Sequence, residues 1–350
     1  MTVIIATTVS ETKRGNRIWL EGRKLARGRF TPETRYNVSF NKGTLTLTVA
    51  TEGKRAVSSR KASPIIDLCS KQLAKWFSTG EKLKAVVRAG KIAIRRIAQT
   101  IKTNKREQRI LAKIAAGEPL NVVSAFSGAG VMDRALHDGF QSAGIKLRTM
   151  LTVEIEGKYV DASLKANPDL FDRNSVIVNT PIQDTCITGN VAADVFWAGI
   201  PCTGASPAGR ARGKLAHAES HPSAGAMFYN TLRMIEQFSP AIVVLENVAA
   251  YRSTSSYAVI ENLLNTWNYS VHDAILNGND FGAIENRDRL VVIAVSKSLQ
   301  ALGGFDMADI IPVRTKEDTL ERHSGPHQRR RCSPLLRINC INIILHIYKV

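Results

Sequence analysis

No apolar run in this 350-residue sequence approaches the roughly 18 residues that a membrane span needs, and the N-terminus carries no signal-peptide hydrophobic region. Both absences predict a cytoplasmic protein that stays out of membranes. Cysteine is scarce. The five present (69, 186, 202, 332 and 340) are odd in number and show no C-x-x-C spacing, which argues against bound zinc and against a disulfide framework. The G-x-G-x-x-G fingerprint of dinucleotide enzymes is missing too, which sets a dehydrogenase aside. Negative charge is in short supply: 48 Lys and Arg face 30 Asp and Glu, for a net +18. A polyanionic partner is the expectation. Roughly two dozen of the basic residues precede residue 118, against about seven acids, whereas residues 118 to about 310 are near neutral. The basic stretch is therefore a unit of its own.

Residues 1–100 consist of short alternating stretches with turn punctuation, such as Arg35-Tyr36-Asn37-Val38-Ser39-Phe40 and, past the Asn41-Lys42-Gly43 turn, Thr44-Leu45-Thr46-Leu47-Thr48-Val49. They contain a repeat. Ile18-Trp19-Leu20, Leu25, Phe30, Tyr36 and Gly43-Thr44-Leu45-Thr46-Leu47 align with Ile66-Asp67-Leu68, Leu73, Phe77, Leu83 and Gly90-Lys91-Ile92-Ala93-Ile94, slipping by one residue between Leu73 and Phe77. Each copy reads strand, short helical turn, strand, Gly hairpin, strand. The pattern resembles the swapped-hairpin β modules of AbrB-like and SymE-like proteins. That resemblance implies a small barrel-like domain that binds nucleic acid, with the two copies forming a pseudo-dimer in one chain. A β-barrel with a merely solvated basic face is the plainer alternative. Residues 101–119 read as a basic linker helix that tracks phosphates, or equally as a packed helix with a polar outer face, with Ile110, Leu111 and Ile114 on one face and Gly117-Glu118-Pro119 at its end.

From Leu120 strands alternate with helices, the mark of a doubly wound, mostly parallel α/β domain over 120–300. Strands are expected at 121–125, 151–155, 175–179, 194–198 and 241–245, with helices at 130–142, 157–166, 224–238 and 256–266. Two further strands, 270–276 and 289–295, suit an antiparallel hairpin at the sheet edge. Residues 301–350 read as an irregular tail, a truncated or frameshifted end.

Four stretches carry chemistry-bearing residues. Phe126-Ser127-Gly128-Ala129-Gly130 follows the first strand and opens a helix, where glycines let backbone N–H groups approach a ligand. Glu154 ends the second strand, where a carboxylate can accept both hydroxyls of a ribose. Gly199-Ile200-Pro201-Cys202 leaves the fourth strand in a tight turn, a place where a thiol can be exposed and partly ionised. Glu246, in Leu245-Glu246-Asn247-Val248, stands at the end of the fifth strand as a candidate proton donor. Arg287 and Arg289, in Asn286-Arg287-Asp288-Arg289, enter the last strand on one face.

In this order and spacing the stretches resemble those of DNA cytosine-5 methyltransferases of bacterial or bacteriophage type, across about residues 121–295. Gly225-Ala226-Met227-Phe228-Tyr229 also fits that family's helix. The resemblance implies a Rossmann-like domain that binds S-adenosylmethionine and acts on duplex DNA with the target cytosine flipped out, as in DNA methylation and restriction-modification. It implies Cys202 as nucleophile on ring carbon 6, Glu246 at ring nitrogen 3, Arg289 on the O2 carbonyl and Arg287 supporting the glutamate. It also implies a cofactor site of Phe126, Ser127, Gly128, Ala129 and Gly130, with Glu154 at the ribose, Ile155 and Ile182 at the adenine, and Pro201 and Met227 near the methionine end. No metal is expected, and a monomer is.

The sequence departs from the family pattern at Ser124 and Pro181, where aspartates are usual, at Val131 for glycine, at Thr203-Gly204-Ala205 and at Glu285 for glutamine. The stretch 204–224 is Gly-rich and basic (Arg210, Arg212, Lys214), suited to closing over phosphates. No target-recognition domain is recognisable after the arginine stretch. Two alternatives stay open at this point: an RNA cytosine-5 methyltransferase, and a DNA-binding protein with a degenerate methyltransferase domain.

Overall fold

A computed structural model describes residues 1–185, 192–201, 211, 217–222, 224–281, 286–303 and 307. The chain forms two compact units, residues 1–102 and 103–350. No helix among the described residues is long and apolar enough to cross a membrane.

The first unit is antiparallel β throughout its pairings. Its strands are β1 (Val3–Thr8), β2 (Ser10–Thr12), β3 (Gly15–Glu21), β4 (Arg35–Asn41), β5 (Thr44–Val49), β6 (Arg55–Ala56), β7 (Ser58–Arg60), β8 (Ser63–Ser70), β9 (Lys82–Arg88) and β10 (Lys91–Arg96). They form one sheet in the order β1-β9-β10-β5-β4-β6 and another in the order β2-β3-β8-β7. The period-2 alternation of the sequence drives this: Ile18, Leu20, Leu45 and Leu47 point inward and are buried, as are their repeat mates Ile66, Leu68, Ile92 and Ile94. Phe30 and its mate Phe77 are fully buried in the same core. The copies pair with each other. Trp19 lies opposite Asp67 and Thr46 opposite Ala93, so each central residue faces its own repeat mate, as a two-fold relation requires. A short helix, α1 (Lys71–Ala74), is capped by the Ser70 hydroxyl, which accepts from the Leu73 N–H at 3.3 Å.

Helix α2 (Ala98–Ala116) runs across the boundary at residue 102. It begins three residues before the expected start and ends where Gly117, at φ +66°, reverses the chain. There the N–H of Glu118 reaches the carbonyl of Lys113 and that of Gly117 the carbonyl of Ile114. Past residue 102 it packs as a helix with buried Arg106 and Ile110, the second of the two readings the sequence allows. Arg106 is buried, donates to Ser296 Oγ (3.0 Å) and to the carbonyls of Trp267 and Asn268, and lies 3.7 Å over the Tyr269 ring. Arg109 Nε and Lys113 Nζ each stand 2.6 Å from the fully buried carboxylate of Asp194, which also accepts the Asn121 N–H. A buried carboxylate so completely paired fixes the helix against the N-terminal ends of two strands.

The second unit is a three-layer α/β domain. Its strands are β11 (Leu120–Ala125), β12 (Leu147–Val153), β13 (Val176–Val178), β14 (Val195–Gly199), β15 (Ile242–Val248), β16 (Tyr269–Asn277) and β17 (Asp288–Ser296), arranged β13-β12-β11-β14-β15-β17-β16. The first five in chain order pair in parallel, and β17 and β16 add an antiparallel edge. Helices α3 (Val131–Ser142), α4 (Gly157–Ala166), α5 (Met227–Phe238) and α6 (Ser255–Thr266) flank it. Alternation along the strands splits the core in two. Val123, Phe196 and Ala198 pack with Phe238 of α5 and Ile260 of α6, while Val122, Val195 and Trp197 pack with Ile110 of α2 and Phe140 of α3. Phe196 and Trp197 are essentially inaccessible, and truncating either to Ala costs about 3–5 kcal/mol.

Two strand boundaries move by three residues or more. β12 starts at Leu147 because buried Thr149 serves the sheet as well as an apolar residue would, its hydroxyl meeting His137. β15 runs on through Glu246, Asn247 and Val248 because β17 pairs with it to its last residue, Val248 opposite Arg289.

Candidate active site

β12 lies on one side of β11 and β14 on the other, so the winding reverses between β11 and β14. The crevice beyond the carboxyl ends of strands at such a reversal is where open α/β sheets take ligands. The Phe126–Gly130 turn leaves β11 at this crevice and Ile200-Pro201 leaves β14 on its other side.

The turn is tightly wound. Phe126 at φ +54°, Gly128 at +54° and Gly130 at +79° all occupy the left-handed region. The two glycines are required for different reasons. A Cβ on Gly130 would stand 2.3 Å from Ser163 Oγ and 2.9 Å from Asn167 Nδ2, so the start of α3 packs directly on α4. A Cβ on Gly128 would meet nothing within 4 Å among the described residues, which leaves that side of the turn open to them. The Ser127 hydroxyl is buried with no hydrogen-bond partner among the described residues. Buried Glu154 ties the turn down: one carboxylate oxygen accepts the Gly128 N–H at 2.7 Å and the other the Glu156 N–H at 2.9 Å. A carboxylate offers about four acceptor sites, so these bonds leave room for more. Beside it Ile155 is exposed, with its carbonyl held by Asn179 Nδ2. Ile182 is buried in the core and Ala129 half-buried.

The catalytic half assembles around Gly199. A Cβ there would lie 3.7 Å from both Glu246 Oε2 and the Phe126 carbonyl oxygen, so the strand end that leads to Pro201 passes between the glycine turn and the glutamate. Arg289 Nε stands 2.7 Å from Glu246 Oε1 in an ion pair. Burial pushes the Glu246 carboxyl above its ordinary value, and the charge of Arg287, itself exposed, opposes this. Pro201 is half-buried and Met227 is buried at the start of α5. Phe126, Ser127, Gly128, Gly130, Glu154, Gly199, Pro201, Glu246 and Arg289 thus lie at the carboxyl end of the parallel strands. Cys202, the expected nucleophile, lies outside the described residues, as do Thr203-Gly204-Ala205, Arg210, Arg212, Lys214 and Glu285. The tail from 308 lies outside them too.

Two features carried no assigned role in the sequence. Asn247 is buried, donates from Nδ2 to the Ile200 carbonyl at 3.2 Å and accepts the Val248 N–H at 2.8 Å, so it anchors the chain two residues before Cys202. Its place in Glu-Asn-Val was the available signal. Behind β14, Trp197 Nε1 donates to the buried Asp133 at 3.1 Å, and His137 meets the Trp197 ring edge to face, centroids 5.7 Å apart. A small cavity below Glu246 is lined by Ile200, Leu245, Tyr251, Tyr257 and Ile260.

A sequence profile of the family described as C-5 cytosine-specific DNA methylase matches residues 120–334. The chain is 29% identical over 109 residues to the type II methyltransferase M.HhaI of Haemophilus parahaemolyticus, covering 30% of this chain and 32% of that protein. It is 30% identical over 182 residues to the type II methyltransferase M1.HphI of the same organism, covering 50% and 45%. The chain therefore spans about half or less of the curated relatives it matches. Among solved structures it is similar to the Dnmt2 methyltransferase of S. pombe, with 15% identity, 55% and 54% coverage and a TM-score of 0.41.

Proposed function

We propose that this chain, which belongs to the C-5 cytosine-specific DNA methylase family, transfers a methyl group from S-adenosylmethionine to carbon 5 of cytosine in DNA. The observation that carries the reading is the convergence at Gly199, where the glycine turn, Glu246 and the strand that leads to Cys202 come within contact distance.

The residues present fit the cofactor. The orphaned hydroxyl of Ser127 and the open side of Gly128 form a polar cradle without a side chain to obstruct it. Glu154 keeps acceptor capacity for a ribose, and the exposed Ile155 side chain offers an apolar surface to an adenine, with the buried Ile182 assigned to the same base. Ala129 and Gly130 complete the turn, and Pro201 and Met227 border the methionine end. When bound, S-adenosylmethionine supplies an electrophilic methyl group.

The chain's own residues prepare the base. The Cys202 thiolate gives its electron pair to ring carbon 6 of the flipped cytosine, forming a sulfur–carbon bond and shifting electron density toward carbon 5. Glu246, protonated more readily because burial raises its pKa, donates to ring nitrogen 3 and takes up the charge that develops there. Arg289 orients that carboxyl through its 2.7 Å contact and stands beside the O2 carbonyl, while Arg287 adds positive charge. Once carbon 5 carries the methyl group, its proton passes to water, the electron pair left behind breaks the sulfur–carbon bond and frees Cys202, and the proton on ring nitrogen 3 returns to Glu246.

The test is transfer of labelled methyl from S-adenosylmethionine to duplex DNA by the full chain. Glu246→Gln is expected to lower kcat by about 10²–10⁴, and Cys202→Ser to abolish transfer. Transfer that survives Cys202→Ser, or label found in structured RNA and absent from DNA, would contradict the assignment.

A further inference from the structure

The charge of this protein is concentrated in its first unit. Residues 1–102 hold 22 Lys and Arg against six Asp and Glu, nearly all of the net +18 of the chain. The two sheets of this unit treat charge differently. On the outer face of the β2-β3-β8-β7 sheet, Arg17 is bonded to Asp67 and stacked over Trp19, and Trp19 Nε1 donates to Glu21. That face is compensated.

The other sheet carries no carboxylate in any of its six strands: β1, β9, β10, β5, β4 and β6 contain neither Asp nor Glu. Its outward residues on β9 are Lys82, Lys84, Val86 and Arg88, and on β10 they are Lys91, Ala93 and Arg95. The register sets Lys84 directly opposite Arg95 and Arg88 directly opposite Lys91. Like charges facing across a strand pair destabilise a sheet. Here two such pairs stand side by side, and no side chain of opposite charge lies on the strands beside them. The repeat sharpens the point. The equivalent outward positions of the first copy are the neutral Asn37, Asn41, Thr44 and Thr48, on the same backbone. The fold therefore does not need the four charges; one hairpin of the pair has acquired them.

We infer that Lys84, Arg88, Lys91 and Arg95, on the outer face of the β9–β10 hairpin, dock the phosphate backbone of duplex DNA. The two cationic rows are four residues apart along the strands, about 13 Å, far enough for the four cations to reach separate phosphates of the duplex backbone. Between the rows stand only Val86 and Ala93, low enough to let a backbone approach. The contacts are to phosphate and carry no sequence preference. The inference rests on the methylase reading only for the choice of duplex DNA as the polyanion.

The test is equilibrium binding of the full chain to a duplex of arbitrary sequence over a range of salt, with no methyl transfer measured, so that failure of the catalytic reading leaves it intact. The variant K84Q/R88Q/K91Q/R95Q is compared with K13Q/R14Q/R23Q/K24Q, which removes equal charge from exposed turns of the same unit. The sheet variant is expected to flatten the slope of log affinity against log salt by about three to four, the turn variant by much less. The thermal midpoint of the sheet variant should be unchanged or raised, because the opposed charges are gone. Equal effects of the two variants, or no effect of the sheet variant, would overturn the inference. So would weakened binding to a structured RNA with duplex affinity unchanged.

Discussion

Asp133 and His137 lie one helical turn apart on α3, both buried, and flank Trp197 from the same side. Burial holds the Asp133 carboxyl up at about 6, although the Trp197 indole donates to it. Burial, with the charge of Arg134, pushes His137 down to about 4. The consequences for stability have opposite signs. Between about pH 4 and 6 the unfolded chain has lost the Asp133 proton that the folded chain keeps, so this residue's contribution fades as pH rises. Across nearly the same window the unfolded chain carries a His137 proton that the folded chain refuses, so that contribution grows as pH rises. Each integrates to about 3 kcal/mol, and together they nearly cancel. Asp133→Asn keeps an acceptor for Trp197 and removes one side of the balance. Relative to the parent, its stability should rise by about 3 kcal/mol between pH 4 and 6.5. His137→Gln should lose a similar amount across the same range. The measurement is urea unfolding of all three proteins at closely spaced pH, read as variant minus parent so that contributions from the rest of the chain drop out. Difference curves that are flat with pH, or that slope the same way, would refute the reasoning.

Three further outcomes follow from the crevice. Gly130→Ala should cost about 2–5 kcal/mol, the sum of a left-handed alanine and a clash with Ser163, whereas Gly128→Ala should cost only the conformational part, about 1–2 kcal/mol; urea midpoints separate them. Gly128→Ala should also weaken binding of S-adenosylmethionine, measured by calorimetry, because its methyl group enters the open side of the turn. Asn247→Ala leaves the buried Ile200 carbonyl without its partner, so stability should fall by about 1–3 kcal/mol. Its kcat should drop while the KM for S-adenosylmethionine stays near that of the parent.

Much of this architecture was legible because the second unit is built in the plainest way, with apolar strand runs separated by turns and helices. Helix α4 fell on 157–166 as its spacing predicts, and the edge hairpin of β16 and β17 was readable from two apolar runs with no long helix between them. The boundaries that moved were set by distant partners. Nothing near Glu246 says that it is inside a strand, because the pairing that extends β15 comes from Arg289 and Leu290 across the sheet. The repeat of the first unit could be aligned in the sequence, but the facing of Trp19 with Asp67 and of Thr46 with Ala93 emerges only when strands pair. At the site, the glycine turn, Glu154, Glu246 and the arginines were visible as residue types at strand ends. The bond from Asn247 to Ile200 was not, since a buried asparagine in a strand looks like any polar interruption. Asp133 and His137 escaped for a similar reason: on a helix of mixed character their burial depends on which face meets Trp197.

The central claim is that Cys202 attacks cytosine in DNA, and the most direct test is covalent capture. Duplex DNA containing 5-fluorocytosine carries fluorine where the departing proton should be, so the adduct cannot eliminate and enzyme and DNA remain joined through sulfur. The full chain is incubated with that duplex, with and without S-adenosylmethionine, beside Cys202→Ala. The account predicts a denaturation-resistant complex that needs S-adenosylmethionine and is absent with Cys202→Ala. A folded protein that binds the duplex and forms no complex, or a complex that survives Cys202→Ala, would contradict it.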